Sequence, residues 1–193
     1  VKMTIKQFDG VIPVPSPEIG ENEKELKSAV ENAVKAIQET VENMKLDRGL
    51  ESIMNAVRTG NRYMEKTAPW TLAKNGETEK LGTVLYTAAE ALRIISGLLA
   101  PVMPAKMAEL RKVLGLDFEE TLESLSVWGK LKPGTKMSDL EALFMRIVKE
   151  EEKKPEAAAP KKSQPAEKKK EEKKMEKQPE TAIEGVITID DFF

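Results

Sequence analysis

The chain has 193 residues, 40% of them hydrophobic, which is enough to bury one core of ordinary size. Its 33 acidic and 31 basic residues leave a net charge of -2, so bulk basicity gives no pull toward nucleic acid, and any such binding has to come from a local surface. Cysteine and histidine are both absent, which excludes disulfides, thiolate nucleophiles, thiolate metal sites, the Ser-His-Asp arrangement and most zinc chemistry.

Val1, Ile5 and Phe8 follow one another at helical spacing with no N-cap before them, which reads as a chain that begins inside a helix. Val11-Ile12-Pro13-Val14-Pro15-Ser16-Pro17 alternates proline with other residues and is an extended connector. From about Asn22 to Met44 a stripe of Leu26, Val30, Ala33, Val34, Ile37, Val41 and Met44 predicts one long amphipathic helix. Asp47 is the predicted cap of a second, whose face is Leu50, Ile53, Met54, Val57 and Met64. Ala68-Pro69 stops it, because proline lacks an N–H and drives the preceding residue out of the helical region.

Asn75-Gly76 is a turn, and a third helix is expected from about Glu77 to Leu99 with Leu81, Val84, Leu85, Ala88, Leu92, Ile95 and Leu99 buried. Pro101 and Pro104 break it. A shorter helix, Ala105 to Leu114, ends at Gly115. Leu122, Leu125 and Trp128 suit a short closing helix, Lys132-Pro133-Gly134 a turn, and Glu141 to Ile147 either extends a final helix into the charged tract or does not. No segment of this region alternates with period two. The expected fold is therefore all-α, an antiparallel helical bundle over residues 1–148.

Residues 149–182 are almost wholly Lys, Glu, Ala, Pro and Gln and cannot bury enough apolar surface to offset their ordering entropy, so they read as a linker. Residues 183–193 turn abruptly apolar and β-prone, with no partner strand. No apolar run approaches the length of a bilayer crossing and no leader opens the chain, so the expectation is cytoplasmic, with no membrane partner.

The segment Asn61-Arg62-Tyr63-Met64-Glu65-Lys66-Thr67-Ala68-Pro69-Trp70 is the most suggestive. An aromatic at a proline-punctuated helix end suits stacking on an unpaired base, although spacing alone is as compatible with a core tryptophan at a helix junction. Asn61 reads either as a buried polar residue that satisfies backbone or as an RNA contact. Arg62 reads either as a phosphate or base contact or as a surface pair with Glu65 or Glu51. The lysine clusters between Lys161 and Lys174 are interleaved with glutamates and read as solvated linker, and Lys136-Met137-Ser138 lacks the context of a catalytic loop.

Asn61-Arg62-Tyr63 leading into Ala68-Pro69-Trp70, the Phe8-Asp9-Gly10 turn, the Leu99-Ala100-Pro101-Val102-Met103-Pro104 break and the Ile187-Thr188-Ile189-Asp190 ending together resemble the anticodon-binding helical domain of bacterial methionyl-tRNA synthetases. The resemblance implies a class I synthetase bundle whose residues 1–10 end a helix entering from a catalytic domain upstream. It also implies that 183–193 begin an oligonucleotide-binding-fold domain. By the same resemblance Trp70 and Pro69 contact the anticodon, the tryptophan stacking on its first base, and Asn61 and Arg62 lie nearby. The family's second anticodon contact, an asparagine and an arginine one turn apart, would precede Val1.

The implied partner is the methionine tRNA with its CAU anticodon. ATP and methionine belong to the catalytic domain, so residues 1–193 are expected to hold no cofactor, metal or catalytic residue and to be inactive alone. The implied parent is a homodimer through a C-terminal domain. A related synthetase for isoleucine, valine or leucine, or a helical scaffold without catalysis, is the other reading.

Overall fold

In the computed structural model, residues 1–116, 121–139 and 142–144 are described, and all belong to one compact unit, Val1–Ile147. The expected linker and the β-prone ending lie outside the described residues; of the segment 141–147, expected either to extend a final helix or not, only 142–144 are described, and they are not helical. Across the described residues the fold is all-α. Helices α1 (Lys2–Phe8), α2 (Glu21–Glu42), α3 (Leu46–Thr67), α4 (Pro69–Asn75), α5 (Thr78–Leu99), α6 (Pro104–Val113) and α7 (Leu122–Ser126) follow in order.

Helices α2 and α3 form an antiparallel hairpin: Glu23 and Glu25 near the start of α2 meet Tyr63, Arg62 and Lys66 near the end of α3. The other end is tight because α3 presents Gly49 to α2. A Cβ there would lie 2.5 Å from Thr40 Oγ1 and 2.8 Å from Ile37 Cδ1. The predicted stripe of α2 is buried at Leu26, Val30, Ala33 and Val34 but leaves the bundle at its end, where Val41 and Met44 are exposed. Asp47 is not the cap of α3. Lys45 holds that position without a side-chain bond, and Asp47 lies in the first turn, where its charge complements the helix dipole.

Helix α5 is the centre of the bundle and packs against α2, α3, α4, α6 and α7. It is buried nearly all round, so the single apolar face expected for it understates its role, although Leu92 on that face remains partly exposed. Each fully buried Leu or Ile in this core, such as Leu26, Ile53, Leu81 or Ile94, contributes about 1.5–3 kcal/mol relative to exposure.

The connector at 11–17 pairs only briefly. Ile12 N–H donates to Thr135 O, Gly134 N–H to Ile12 O and Met137 N–H to Gly10 O, with an antiparallel bridge between Val11 and Lys136. On the other side, Ser138 N–H donates to Val113 O, and Gly115, at φ +71°, approaches Thr135 and Lys136 so closely that a Cβ would collide. The Lys136-Met137-Ser138 run therefore stitches the first turn of the chain to the end of α6. This arrangement fixes α1 against the bundle.

A buried ionic clasp holds the segment after α7 on α5. Glu90 accepts from Arg93 Nε at 3.0 Å and Nη2 at 2.8 Å, and from three successive backbone N–H groups, those of Gly129, Lys130 and Leu131, at 2.7, 3.1 and 3.0 Å. Arg93 also donates to Val127 O, and Arg111 reaches Arg93 O and Ser96 Oγ. Glu90, Arg93 and Arg111 are all at most 1% exposed, and this density of bonds is what makes buried charge tolerable.

Candidate nucleic-acid interface

The end of α3 determines where the aromatic site lies. Pro69 forbids continuation of the helix, and Ala68 answers with a left-handed conformation, φ 41° and ψ 61°, instead of the extended one usual before proline. The chain therefore turns sharply and enters α4 at once, with Pro69 at a position where its missing N–H costs nothing. Sequence periodicity leaves 69–75 without a helix; α4 is an addition by the structure, and it ends at Gly76 in a left-handed cap.

Pro69 and Trp70 do not share one surface. Pro69 is fully buried, whereas Trp70 is 55% exposed, so the reading of Trp70 as a core residue is excluded. Pro69 anchors the first turn of α4 and Trp70 projects from it. Among the described residues, the indole N–H meets no protein acceptor.

Trp70 forms one wall of an open groove of about 420 Å³. Lys74, one turn further along α4, stands beside it, and α1 supplies Lys2, Lys6 and Gln7 opposite, over a floor of Met3 and Ala73. Sequence reasoning singled out neither these lysines nor Gln7. The signal was present in the spacing: Lys2 and Lys6, and Trp70 and Lys74, are each four apart and so share a helix face.

Asn61 and Arg62 diverge. Asn61 is exposed rather than buried, makes no side-chain hydrogen bond among the described residues, and lines an apolar cavity of about 270 Å³ with Val1, Met3 and Leu92. Met3 lines both spaces, so Asn61 and Trp70 flank the same helix, α1. Arg62 is also exposed, but its partner is neither Glu65 nor Glu51. It lies 3.5 Å from Glu25 of α2, which Lys66 also engages at 2.8 Å. The Lys66 ammonium, assisted by Arg62, holds the Glu25 carboxyl below its ordinary pKa.

Tyr63, between them, faces inward and donates to Glu23 at 2.8 Å. Burial first, and then the Glu23 carboxylate, push its phenol far above the ordinary tyrosine value. It stays a neutral structural donor.

Among the described residues no cluster of three or more acidic side chains is placed to hold a metal ion, and no helix is long and apolar enough to cross a membrane.

Residues 13–159 match the family described as the anticodon binding domain of methionyl tRNA ligase. The methionine–tRNA ligase of Deinococcus radiodurans is 37% identical over an alignment spanning all of this chain and 30% of that protein. That of Caldanaerobacter subterraneus is 36% identical over 78% of this chain and 24% of its own length. The chain thus spans under a third of these curated relatives. Among solved structures, the free form of Mycobacterium tuberculosis methionyl-tRNA synthetase superposes with a TM-score of 0.70 at 25% identity, covering 76% of this chain and 30% of that one. The same enzyme bound by methionyl-adenylate gives 0.67 at 26%, over 74% and 28%. With the family pattern matched over most of its length and the same helical fold in solved synthetases, the chain belongs to the anticodon-binding domain family of methionyl-tRNA ligases.

Proposed function

We propose that this chain is the tRNA-reading part of a cytoplasmic methionine–tRNA ligase, and that Trp70 receives the first base of a CAU anticodon by stacking. The observation that carries the reading is an indole more than half exposed on a turn whose proline is fully buried. A rigid, outward aromatic platform suits a splayed loop base, since sequence-specific RNA recognition targets unstacked bases in loops. Pro69 acts through Trp70 as a positioning residue. Asn61, with its amide uncommitted, offers both donor and acceptor to a neighbouring base, and Arg62 becomes available to RNA when it leaves Glu25.

Activation of methionine with ATP belongs to the rest of such a ligase, and the residues described here supply selection instead. The parent ligase is a homodimer joined through a domain beyond this bundle. The named relatives and the methionyl-adenylate complex support this division of labour.

The test is the affinity of a CAU anticodon stem-loop against one with a changed first base, for the chain and for Trp70→Ala. The variant should lose about 1–3 kcal/mol, roughly five- to 150-fold in Kd, on the CAU loop and should no longer distinguish the two loops. Retained discrimination in Trp70→Ala would refute the assignment.

A further inference from the structure

Several cations on the helices are committed to carboxylates: Lys24 to Glu21, Lys27 to Glu31, Arg62 and Lys66 to Glu25, Lys80 to Glu77, Lys106 to Glu109. The groove beside Trp70 instead brings three cations together without a carboxylate. Lys2, Lys6 and Lys74 are all exposed, none pairs with a carboxylate among the described residues, and no acidic side chain lines the groove. In a chain of net charge -2, three unpaired ammonium groups around one aromatic face form a local surplus of positive charge. They arrive from two helices far apart in sequence, of which α1 is followed directly by the stitching of 10–12 to 134–137.

We propose that Lys2, Lys6 and Lys74 form a phosphate clamp for single-stranded RNA. In this arrangement a base enters against the Trp70 indole over Met3 and Ala73, and its flanking phosphates lie between the lysines. Gln7 supplies a neutral donor at the rim. Because an ammonium group is a compact point charge on a flexible stem, the clamp holds backbone without reading sequence. This deepens the anticodon reading by assigning it an electrostatic component, and it rests on that reading only for the identity of the RNA.

Two signatures separate the clamp from the base platform. Phosphate neutralisation releases counterions and appears in the salt dependence of binding, whereas stacking appears in discrimination between loops. Titrating the 193-residue chain with the CAU stem-loop, the changed-base loop and a loopless duplex of equal length, over a range of salt, resolves both. In the Lys2→Gln, Lys6→Gln, Lys74→Gln variant the slope of log K against log salt should fall by about 2 on either loop, roughly 0.7 for each phosphate that is no longer neutralised. The preference for CAU should persist and the slope on the duplex should not change. These side chains are exposed, and an unaltered circular dichroism spectrum and urea midpoint would show that the variant folds.

An unchanged slope on the loops would overturn the clamp while leaving anticodon reading intact. An equal fall on the duplex would reduce it to a nonspecific basic patch and would also overturn it. Conversely, loss of slope in the lysine variant with no loop preference in the unsubstituted chain would leave the clamp standing and remove the anticodon assignment.

Discussion

The Glu90 clasp and the Trp70 groove both gather charged side chains from distant stretches of the chain, yet they use them in opposite ways. At the clasp, Glu90 and Arg93 are withdrawn from water and saturated by each other and by the backbone of 127–131. At the groove, Lys2, Lys6, Lys74 and the Trp70 indole are exposed and have no protein partner among the described residues. Burial forces a polar group to find its partner inside the fold, because leaving it unpaired costs more than the bond returns. Groups that the fold leaves uncommitted, clustered around an aromatic, are those available for a ligand.

The sharpest way to break this contrast is Glu90→Ala. Removing the carboxylate leaves Arg93 buried beside three backbone N–H groups without their acceptor, and the expected loss is about 3–5 kcal/mol in urea unfolding. A loss no larger than that of an average surface substitution would mean that the clasp is not a sealed network. Trp70→Ala should do the reverse. Its unfolding free energy should fall by only about 1–2 kcal/mol, since half the residue already faces water, while RNA affinity falls as stated above.

Tyr63→Phe sits between the two regions. It removes one hydrogen bond to the partly exposed Glu23 carboxylate, and unfolding should report a loss of about 0.5–1.5 kcal/mol. The phenol also predicts an alkaline limb. Its folded pKa is raised, so above pH about 10 the unfolded chain releases a proton that the folded chain retains, and stability falls as pH rises further. Burial raises Tyr86 in the same direction, so Tyr63→Phe should flatten this limb without abolishing it. A limb of undiminished slope in Tyr63→Phe would assign the effect elsewhere.

The smallest effect is expected at Glu25→Gln. It frees Arg62 and Lys66 from their shared carboxylate, and CAU stem-loop affinity should rise at low salt by less than Trp70→Ala lowers it. A fall in affinity would show that Glu25 orients Arg62 for RNA.

The helices α2, α3, α5, α6 and α7, their ends at Ala68-Pro69, Pro101 to Pro104 and Gly115, and the all-α class were legible from the sequence alone. Helical periodicity and breaker residues are local, acting through backbone sterics and spacing over a few residues. The resemblance carried by Asn61-Arg62-Tyr63 and Ala68-Pro69-Trp70 was legible for the same reason. What the tertiary structure decided lies in pairings between residues distant in sequence. Exposure of Trp70 depends on how α4 lies against α1. The left-handed turn at Ala68 separates a buried Pro69 from its exposed neighbour. Arg62 takes Glu25, 37 positions away, in place of a carboxylate on its own helix. Glu90 reads as an ordinary polar residue of α5 until residues 129–131 fold over it, and Lys2, Lys6 and Lys74 read as solvated charges until α1 and α4 face one another. Spacing along one helix defines faces, and only packing between helices determines which face meets water, a partner charge or an open groove.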